Sequence, residues 1–589
     1  MLYPLRLLLK TTCRGTEPHL FSYLLKHPRH IYGPAIFIYL PVHISWFPMP
    51  VIELDVEVLC SLIGERMPPE DLVKAISELG ADVEGVKGRT ITVEFFPDRP
   101  DLLSAEGVAR ALRAFLGIEP GLRTYSLAPP AAELSVDPGV LPIRGCVECV
   151  DVRGVRLDDD LLKRLMEMQE DLHWALGRDR KKVAIGVHDP SKTTPPYTYR
   201  AARPDEIRFE PLAMPGAELT LGEILEKHPK GREYAHILEG FDRYPVILDS
   251  KGRVLSMPPI INGELTKLTE RTTALFVEMT GTDERAVGKA MNILCAAFAE
   301  HGWRLSKVNV KYPDRTVETP NMEPQTRRLS VAYANRMLGL TLTPAEIKTC
   351  LEKTGYGVET DGDELLIKVP PYRADILHHI DIVEDVAIGY GYGNFRPELP
   401  PLSTTGRRLP EDARMRKARS AMLGLGFTEV VTLMLSNEED NYRKMGLSGN
   451  AVKIQNPISE EQTIVRTHLL PGLLGVLYLN RHRELPQRIF ETGDVLRLDP
   501  ESETGARRER RLAACIIHHR ANFSEAKSIF NALLRDLQIK GKVKAVKHPS
   551  FIPGRCAGIE GRGYFGELHP QVLTNFGLEY PAAALEIML

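Results

Sequence analysis

The segment Pro69-Glu-Asp-Leu-Val-Lys-Ala-Ile-Ser-Glu-Leu-Gly-Ala-Asp-Val-Glu84 returns later in the chain as Pro344-Ala-Glu-Ile-Lys-Thr-Cys-Leu-Glu-Lys-Thr-Gly-Tyr-Gly-Val-Glu359. Each copy opens with a proline and acidic residues, which favour the first turn of a helix. Each then reaches a glycine, Gly80 or Gly355, which is typical of a helix end. An internal repeat of this kind predicts two domains that are built on one scaffold.

The two copies remain parallel beyond this helix. A strand-like alternation follows in both, at Thr90–Phe95 and at Leu365–Val369. Next, Pro97-Asp-Arg-Pro-Asp-Leu-Leu103 matches Pro371-Tyr-Arg-Ala-Asp-Ile-Leu377. A second helix is expected after each of these turns, so both copies should contain the same elements in the same order.

The second copy carries carboxylates that the first copy lacks. These are Asp381, Glu384 and Asp385, and the matching positions in the first copy are Gly107, Arg110 and Ala111. Their spacing places them on one helix face, with Asp375 just before the helix. Because the shared scaffold forms without them, they indicate a role beyond folding. A bound Mg²⁺ would offset their repulsion with oxygen ligands. His378 and His379 leave a transition metal open, and a solvated acidic face is the plain alternative.

Composition sets broad limits on the protein. With 589 residues, 43% of them hydrophobic and 26% charged, the chain is expected to form several globular domains. A net charge of −3 gives no general footprint for nucleic acid, so any RNA contact must come from local patches or a partner. Cys146 and Cys149 are the one close cysteine pair, and no second pair completes a zinc site. Reduced cysteines fit a cytoplasmic protein.

Residues 1–48 differ from the rest. They are basic and acid-poor, and prolines interrupt every apolar run before it could span a bilayer, so no membrane segment is expected. A transit peptide and an artefact of start-site choice both remain open. Met49 is expected to open the first folded domain.

The region from 126 to 305 has the pattern of a mixed α/β domain. Three apolar runs, Lys182–Asp189, Met257–Glu264 and Leu275–Asp283, end in polar residues that would form a cleft if the strand ends converge. The candidate cleft residues are His188, Asp189, Asn262, Glu264, Thr282 and Asp283. Turns and caps are the alternatives. Asp189-Pro190 and Asn262-Gly263 are turn dipeptides, and Asp283 suits the N-cap of a helix over 284–301.

The last region, from about 401, again mixes helices and strands. A helix is expected at Pro410–Leu425, strands at Phe427–Met434 and Gln487–Leu498, and a further helix at Ser524–Ile539. Proline-rich joints at 312–324 and 396–402 separate the domains. The predicted divisions are 1–48, 49–125, 126–305, 306–400 and 401–589.

The most distinctive stretches of the chain are Pro97–Ser104, Pro371–Asp375, Asp381–Tyr392, Asn456–Ser459, Arg466–Leu473 and Phe565–Pro570. Together they resemble one family, the phenylalanyl-tRNA synthetase β subunits of the archaeal/eukaryotic type. They follow the family's order from Met49 to Leu589. The resemblance implies an α/β and α+β multidomain protein. A small domain would be followed by a mixed α/β domain that edits mischarged tRNA and by a winged-helix-like domain. In the winged-helix-like domain, Asp375, Asp381, Glu384 and Asp385 would hold Mg²⁺. The last domain would be a class II synthetase-like antiparallel sheet without catalysis.

The last domain departs from an active class II site. Such a site resembles Arg-x-Glu on a strand, but Arg488-Ile-Phe-Glu491 has one residue too many, and no glycine-rich segment ending in Glu-Arg follows. The resemblance therefore implies that ATP-dependent charging belongs to a separate α subunit, in an (αβ)₂ assembly that binds tRNA(Phe). The anticodon-binding and inserted barrel modules of longer relatives are not found.

An editing site has a chemical reason. A pocket for phenylalanine rejects tyrosine's added hydroxyl by only about 10²-fold, so a second pocket that rewards the hydroxyl is needed. Glu264 is the candidate acceptor for the phenol, and His188, Asn262 and Thr282 are candidates to position water and ester. A scaffold without editing and a free-standing hydrolase are the competing hypotheses.

Overall fold

The computed structural model describes residues 51–400 and 402–589, so the expectation for residues 1–48 lies outside the described part. The described residues fall into two compact units, which meet in sequence at Leu399 and Pro400. The first unit contains three domains and the second contains one. None of the described helices combines the length and apolarity needed to cross a bilayer.

The first domain is a three-stranded antiparallel sheet covered by helices. Its elements are β1 (Val51–Asp55), α1 (Val56–Ile63), α2 (Pro69–Glu78), β2 (Asp82–Lys87), β3 (Thr90–Glu94) and α3 (Ala105–Phe115). The strand order is β1-β3-β2. Inward-facing residues of β3, such as Ile91 and Val93, pack against all three helices in one apolar core.

The middle domain is built on a mixed sheet of ten strands. Its elements are β4 (Ala128–Val136), α4 (Leu141–Arg144), β5 (Cys146–Arg153), α5 (Asp159–Ala175), β6 (Val183–His188), β7 (Tyr197–Ala202), β8 (Arg208–Phe209), β9 (Leu219–Thr220), α6 (Leu221–Lys227), α7 (Pro229–Tyr234), β10 (Tyr244–Leu248), β11 (Val254–Met257), β12 (Ile261–Asn262), β13 (Ala274–Gly281), α8 (Glu284–Glu300), β14 (Arg304–Lys311) and β15 (Thr316–Thr319).

The order of the large sheet is β12-β11-β10-β7-β4-β14-β5-β13-β6, and β15 adds to β14. Helices α5 and α8 pack with β5, β6 and β13 in one core. The sheet continues past residue 305, where the sequence analysis ended this domain, because β14 and β15 complete it. Cys146 and Cys149 stand three residues apart on β5 and therefore face opposite sides, which rules out a shared metal; all seven described cysteines are free.

The third domain repeats the first. Its elements are β16 (Gln325–Ser330), α9 (Val331–Leu338), α10 (Pro344–Lys353), β17 (Gly357–Asp361), β18 (Glu364–Val369) and α11 (His379–Tyr390). The strand order β16-β18-β17 equals β1-β3-β2. The predicted repeat is confirmed, and Gly80 and Gly355 both adopt the positive φ that a glycine helix end requires. It is also longer than predicted, since β1 and α1 match β16 and α9.

The second unit contains a sheet of seven strands. Its elements are α12 (Pro410–Gly424), β19 (Thr428–Glu429), β20 (Leu435–Ser436), β21 (Ile464–Val465), α13 (Leu470–Leu479), β22 (Gln487–Leu498), β23 (Ala506–Ile517), α14 (Phe523–Asp536), β24 (Lys544–Ala545), β25 (Phe551–Ile559), β26 (Gly563–Leu568), α15 (Pro570–Asn575) and β27 (Ala582–Met588).

The strand order is β19-β22-β23-β27-β26-β25-β24, and β19 is the one parallel neighbour in an otherwise antiparallel sheet. The predicted helix at Pro410 and the strand Gln487–Leu498 are confirmed. The predicted strand Phe427–Met434 is reduced to two residues, and Val431, which follows them, is 87% exposed. The strand ends early because only the first part of the run, Phe427 to Val430, reaches the core, whereas Leu433 and Met434 are exposed like Val431.

Candidate functional site

A cavity of about 440 Å³ lies in the middle domain, beside α5 and β6 and the segment that follows β11. Its size falls in the range of about 300–1,000 Å³ that small-molecule sites occupy. Much of its wall is apolar, including Leu162, Met166, Ile185 and Leu212. The acids that line it are Glu170 and Glu278.

Glu278 is a buried carboxylate on β13 with unused hydrogen-bonding capacity. Its side chain is 2% exposed. One oxygen, Oε1, accepts a hydrogen bond from Ser256 Oγ at 2.8 Å, whereas Oε2 has no partner among the described residues. A buried polar atom without a partner costs roughly 1–3 kcal/mol, so Glu278 is a candidate to accept a further hydrogen bond.

His188 lies next to Glu278 on the adjacent strand β6. Its Nε2 is 3.8 Å from Glu278 Oε1 and is also without a hydrogen-bond partner among the described residues, while Nδ1 is 2.8 Å from Thr266 Oγ1. Gly186 makes room for the two side chains. A Cβ there would stand 2.3 Å from Glu278 Oε1 and 2.7 Å from His188 Nε2.

Glu170, the other acid of the cavity, has a cationic partner. Arg180 donates a hydrogen bond to its Oε1 at 2.7 Å, and His173 Nδ1 lies 3.4 Å from the same oxygen. Burial alone would raise the pKa of Glu170, but the nearby His173 and the charge of Arg180 outweigh it and lower that pKa to about 2. His173 accepts the Ile185 N–H at Nε2, so it is committed to the fold.

The residues predicted from sequence occupy different positions relative to the cavity. Asn262 lines the cavity, and His188 lies behind Glu278. Glu264 does not line it. The Glu264 carboxylate accepts the Ala213 N–H at 3.2 Å and pairs with Lys267 at 3.2 Å. Asp189 accepts hydrogen bonds from Ser191 N and Thr272 Oγ1, as a turn residue does.

The expected convergence of the three strand ends is wrong. Strand β6 runs antiparallel to β13, so His188 pairs with Phe276 near the start of β13, and Gly281 at its end pairs with Val183. Thr282 and Asp283 therefore lie at the opposite end of the strand pair from His188. Asp283 is the N-cap of α8, accepting the Ala286 N–H and pairing with Lys182. Strand ends converge on one edge only when the strands are parallel, and β6 and β13 are antiparallel.

In the third domain, Arg373 lies among the predicted metal carboxylates. Its guanidinium binds both oxygens of Asp375, at 2.9 and 2.6 Å, and Asp385 Oδ2 at 2.6 Å. Tyr356 donates a further hydrogen bond to Asp385 at 2.5 Å. A buried arginine thus supplies the counter-charge for two of the four acids, the compensation that the sequence analysis assigned to a cation.

The other two acids have different surroundings. Asp381 accepts the backbone N–H groups of Leu377 and His378 and so caps α11. Glu384 has no cationic partner among the residues that the structure describes. Burial and the charges of Asp385, Asp98, Asp381 and Asp375 raise its pKa. Among residues 51–400 and 402–589, no group of three or more His, Cys, Asp or Glu side chains is arranged to hold a metal ion.

The first repeat copy contains the same arginine–aspartate pair. Arg99 binds both oxygens of Asp101 at 2.9 Å, as Arg373 binds Asp375. The two copies also touch, since the Arg110 guanidinium lies 4.0 Å from the centre of the Tyr372 ring. The shared pair is therefore scaffold, and the additions of the second copy are Asp381, Glu384 and Asp385.

In the second unit, Arg488 and Glu491 are three residues apart on β22 and face opposite sides of the sheet. Arg488 pairs with Glu525, and buried Glu491 pairs with Arg466 at 2.7 Å. The two charges therefore do not form one site, as the extra residue between them predicted.

Comparison with known proteins decides the family. The chain is 46% identical over 553 residues to the phenylalanine–tRNA ligase beta subunit of Archaeoglobus fulgidus, covering 92% of this chain and 98% of that protein. It is 43% identical over 548 residues to the subunit of Methanothrix thermoacetophila, covering 92% and 100%. The chain belongs to the phenylalanine–tRNA ligase β subunit family.

Two family models each match one part of this β subunit. The tRNA synthetase B5 domain matches residues 327–392, and the phenylalanyl-tRNA synthetase beta chain CLM domain matches residues 396–589. The crystal structure of an N-terminal fragment of the phenylalanyl-tRNA synthetase β subunit from Pyrococcus horikoshii has a TM-score of 0.56 and 38% identity, covering 58% of this chain and 99% of the fragment. The chain is therefore a subunit of an aminoacyl-tRNA synthetase, and it has a mixed α/β multidomain fold.

Sequence reasoning missed Glu278 and Arg373. Glu278 carried a usable signal, because it is the one acid inside the apolar run Leu275-Phe-Val-Glu-Met-Thr280, all of which is buried. An acid in a strand that is buried on both faces needs a partner or a function. Arg373 was visible inside the matched turn motif, but its reach to Asp385 depends on how α11 packs.

Proposed function

We propose that this chain supports ATP-dependent charging of tRNA(Phe) by a partner α subunit and hydrolyses mischarged Tyr-tRNA(Phe) in its middle domain. Family membership supports the first part. The second part rests on one observation: an apolar cavity of about 440 Å³ that contains a buried carboxylate with a free oxygen, Glu278 Oε2.

This cavity has the properties that selection of tyrosine requires. Its apolar wall suits an aromatic ring, and Glu278 Oε2 can accept a hydrogen bond from the phenol hydroxyl. A phenylalanyl group would leave that oxygen unpaired, at a cost of about 1–3 kcal/mol. We therefore give Glu278 the acceptor role that the sequence analysis gave to Glu264, whose carboxylate is occupied outside the cavity.

We propose positioning roles for two neighbouring residues. Asn262 lines the cavity and presents an amide that can orient the ester or the attacking water. His188 lies next to Glu278, with Nε2 3.8 Å from Oε1, and we give it a supporting role for the carboxylate. Thr282 has no place in this arrangement, because it lies beyond the far end of β13.

The deciding experiment is hydrolysis of Tyr-tRNA(Phe) by the assembled complex of this chain with its α subunit. Rapid clearance that the Glu278→Gln variant loses, while phenylalanine charging stays normal, supports an editing site in the cavity. Stable Tyr-tRNA(Phe) with normal charging leaves a scaffold subunit. Deacylation by this chain alone, without an α subunit, would favour the free-standing hydrolase.

We place Mg²⁺ in the third domain as part of the same proposal. The donor set is all oxygen, which fits a hard cation, and no cationic side chain among the described residues pairs with Glu384. Asp381, Glu384 and Asp385, together with Asp375, would hold the ion only after a rearrangement that frees Asp375 and Asp385 from Arg373, because the described acids are not arranged as a metal site. Calorimetric titration of the complex with Mg²⁺ should show binding that Glu384→Gln removes and that the exposed control Glu364→Gln keeps.

An exposed apolar segment in the second unit supports a protein partner. Val431, Leu433, Met434 and Leu435 are 87%, 48%, 42% and 38% exposed, and they follow β19 at one edge of the sheet. We assign this surface to the α subunit of an (αβ)₂ assembly. Val431→Asp should abolish co-purification of the α subunit, whereas Val86→Asp, at a 45% exposed valine of the first domain, should leave it intact.

A further inference from the structure

Four lysines stand close together near the other edge of the same sheet. The segment Lys540-Gly-Lys-Val-Lys-Ala-Val-Lys547 contains them, and no Asp or Glu occurs between 537 and 559. Lys540, Lys542, Lys544 and Lys547, here called the lysine strip, are all exposed. The chain as a whole carries a net charge of −3, so this is a local concentration of positive charge.

The backbone of the segment gives the strip its shape. Lys544 and Ala545 form β24, the edge strand, which pairs with Gly558 and Ala557 of β25. Val543 and Val546 pack into the two apolar cores of this unit. Because residues in an extended chain alternate between faces, Lys542 and Lys544 lie about 7 Å apart on one side of the segment and Lys547 lies on the other side, so the lysines border the edge strand on both faces.

The lysines are not paired within the described part of the chain. None of the four makes an ion pair or side-chain hydrogen bond to any residue in 51–400 or 402–589. Lysines on an edge strand also prevent sheets from pairing with one another, but that purpose is served by one or two charges. Four cations within eight residues, with no acid among them, are more than this protection of the edge requires.

We propose that the lysine strip binds the phosphate backbone of tRNA. An extended row of flexible ammonium groups matches a linear polyanion, and each contact contributes by releasing counterions rather than by reading bases. The two edges of the sheet then differ in use, with the apolar segment after β19 facing a protein and the lysine strip facing RNA. This inference rests on the proposed function only in taking tRNA as the RNA.

The test is the salt dependence of tRNA binding by the complex of this chain with its α subunit. The variant changes all four residues, K540Q/K542Q/K544Q/K547Q. Four lost phosphate contacts should reduce the slope of log K against log salt concentration by about 3 and weaken binding at least about 10-fold at 0.15 M salt. The matched control, K74Q/K87Q/K251Q/K527Q, removes the same charge from exposed lysines elsewhere and should change neither quantity appreciably.

A variant that keeps the charges, K540R/K542R/K544R/K547R, should bind with the wild-type slope. The inference is overturned if the strip variant and the control have the same slope and affinity. It is also overturned if the strip variant binds tRNA normally but loses its α subunit, since the strip would then face protein. If the wild-type complex itself does not bind tRNA, the proposed function fails instead.

Discussion

Replacing Glu278 by glutamine should abolish the preference for tyrosine in deacylation. The substitution keeps the shape of a side chain that lines the cavity and removes its charge. Oε2 has no hydrogen-bond partner among the described residues, and Oε1 accepts a hydrogen bond from Ser256 Oγ. A hydrogen bond to a charged acceptor is worth about 1.5–3 kcal/mol, so kcat/KM for Tyr-tRNA(Phe) should fall by roughly 10- to 150-fold.

The assay is single-turnover deacylation of Tyr-tRNA(Phe) and Phe-tRNA(Phe) by the assembled complex. The loss should be confined to the tyrosyl substrate, because phenylalanine makes no use of the carboxylate. Glu264→Gln is the matched control, since this acid lies outside the cavity and is engaged with Lys267. Thermal unfolding of each variant shows whether the domain remains folded.

Two results would refute this reasoning. If Glu278→Gln clears Tyr-tRNA(Phe) at the wild-type rate, the carboxylate does not recognise the phenol. If Glu264→Gln has the larger loss, the acceptor is the residue that the sequence analysis favoured, and the cavity assignment fails.

Three further outcomes follow from the same structure. Gly186→Ala should impair Tyr-tRNA(Phe) clearance while phenylalanine charging is kept, because the new Cβ would stand 2.3 Å from Glu278 Oε1; Gly85→Ala, with open space around it, should be silent in both assays. Arg373→Met should lower the free energy of unfolding by about 3–5 kcal/mol in urea titrations, since Asp375 and Asp385 lose their counter-charge, whereas the exposed Arg328→Met should change it little. Burial and the charge of Glu284 raise the pKa of Glu148 to about 7. The folded state therefore binds this proton more tightly than the unfolded chain, so stability falls as pH rises from about 4.5 to 7, and Glu148→Gln should raise Tm at pH 8 but not at pH 4. Equal effects of Glu148→Gln on Tm at the two pH values would contradict the burial argument.

Local sequence determined the scaffold of this protein. The repeat, its helices, the glycine helix ends and the strand Gln487–Leu498 follow from short-range patterns, because helix caps, proline positions and alternation act over a few residues. The family resemblance rested on the same short motifs in a fixed order. The carboxylates that the second copy adds were also visible in sequence, since comparison of the copies separates scaffold from additions.

Tertiary structure decided the candidate site. Whether His188 and Thr282 share a cleft depends on the direction of β6 relative to β13, and no local pattern encodes that direction. Glu264 ends one apolar run and Glu278 lies inside another, so the sequence does not distinguish them. Only the packing of α5 and of the segment after β11 shows that Glu278 lines the cavity. Arg373 reaches Asp385 across twelve residues of sequence because α11 packs back onto the turn. Long-range packing sets which polar atoms are left without partners, and those atoms define the site.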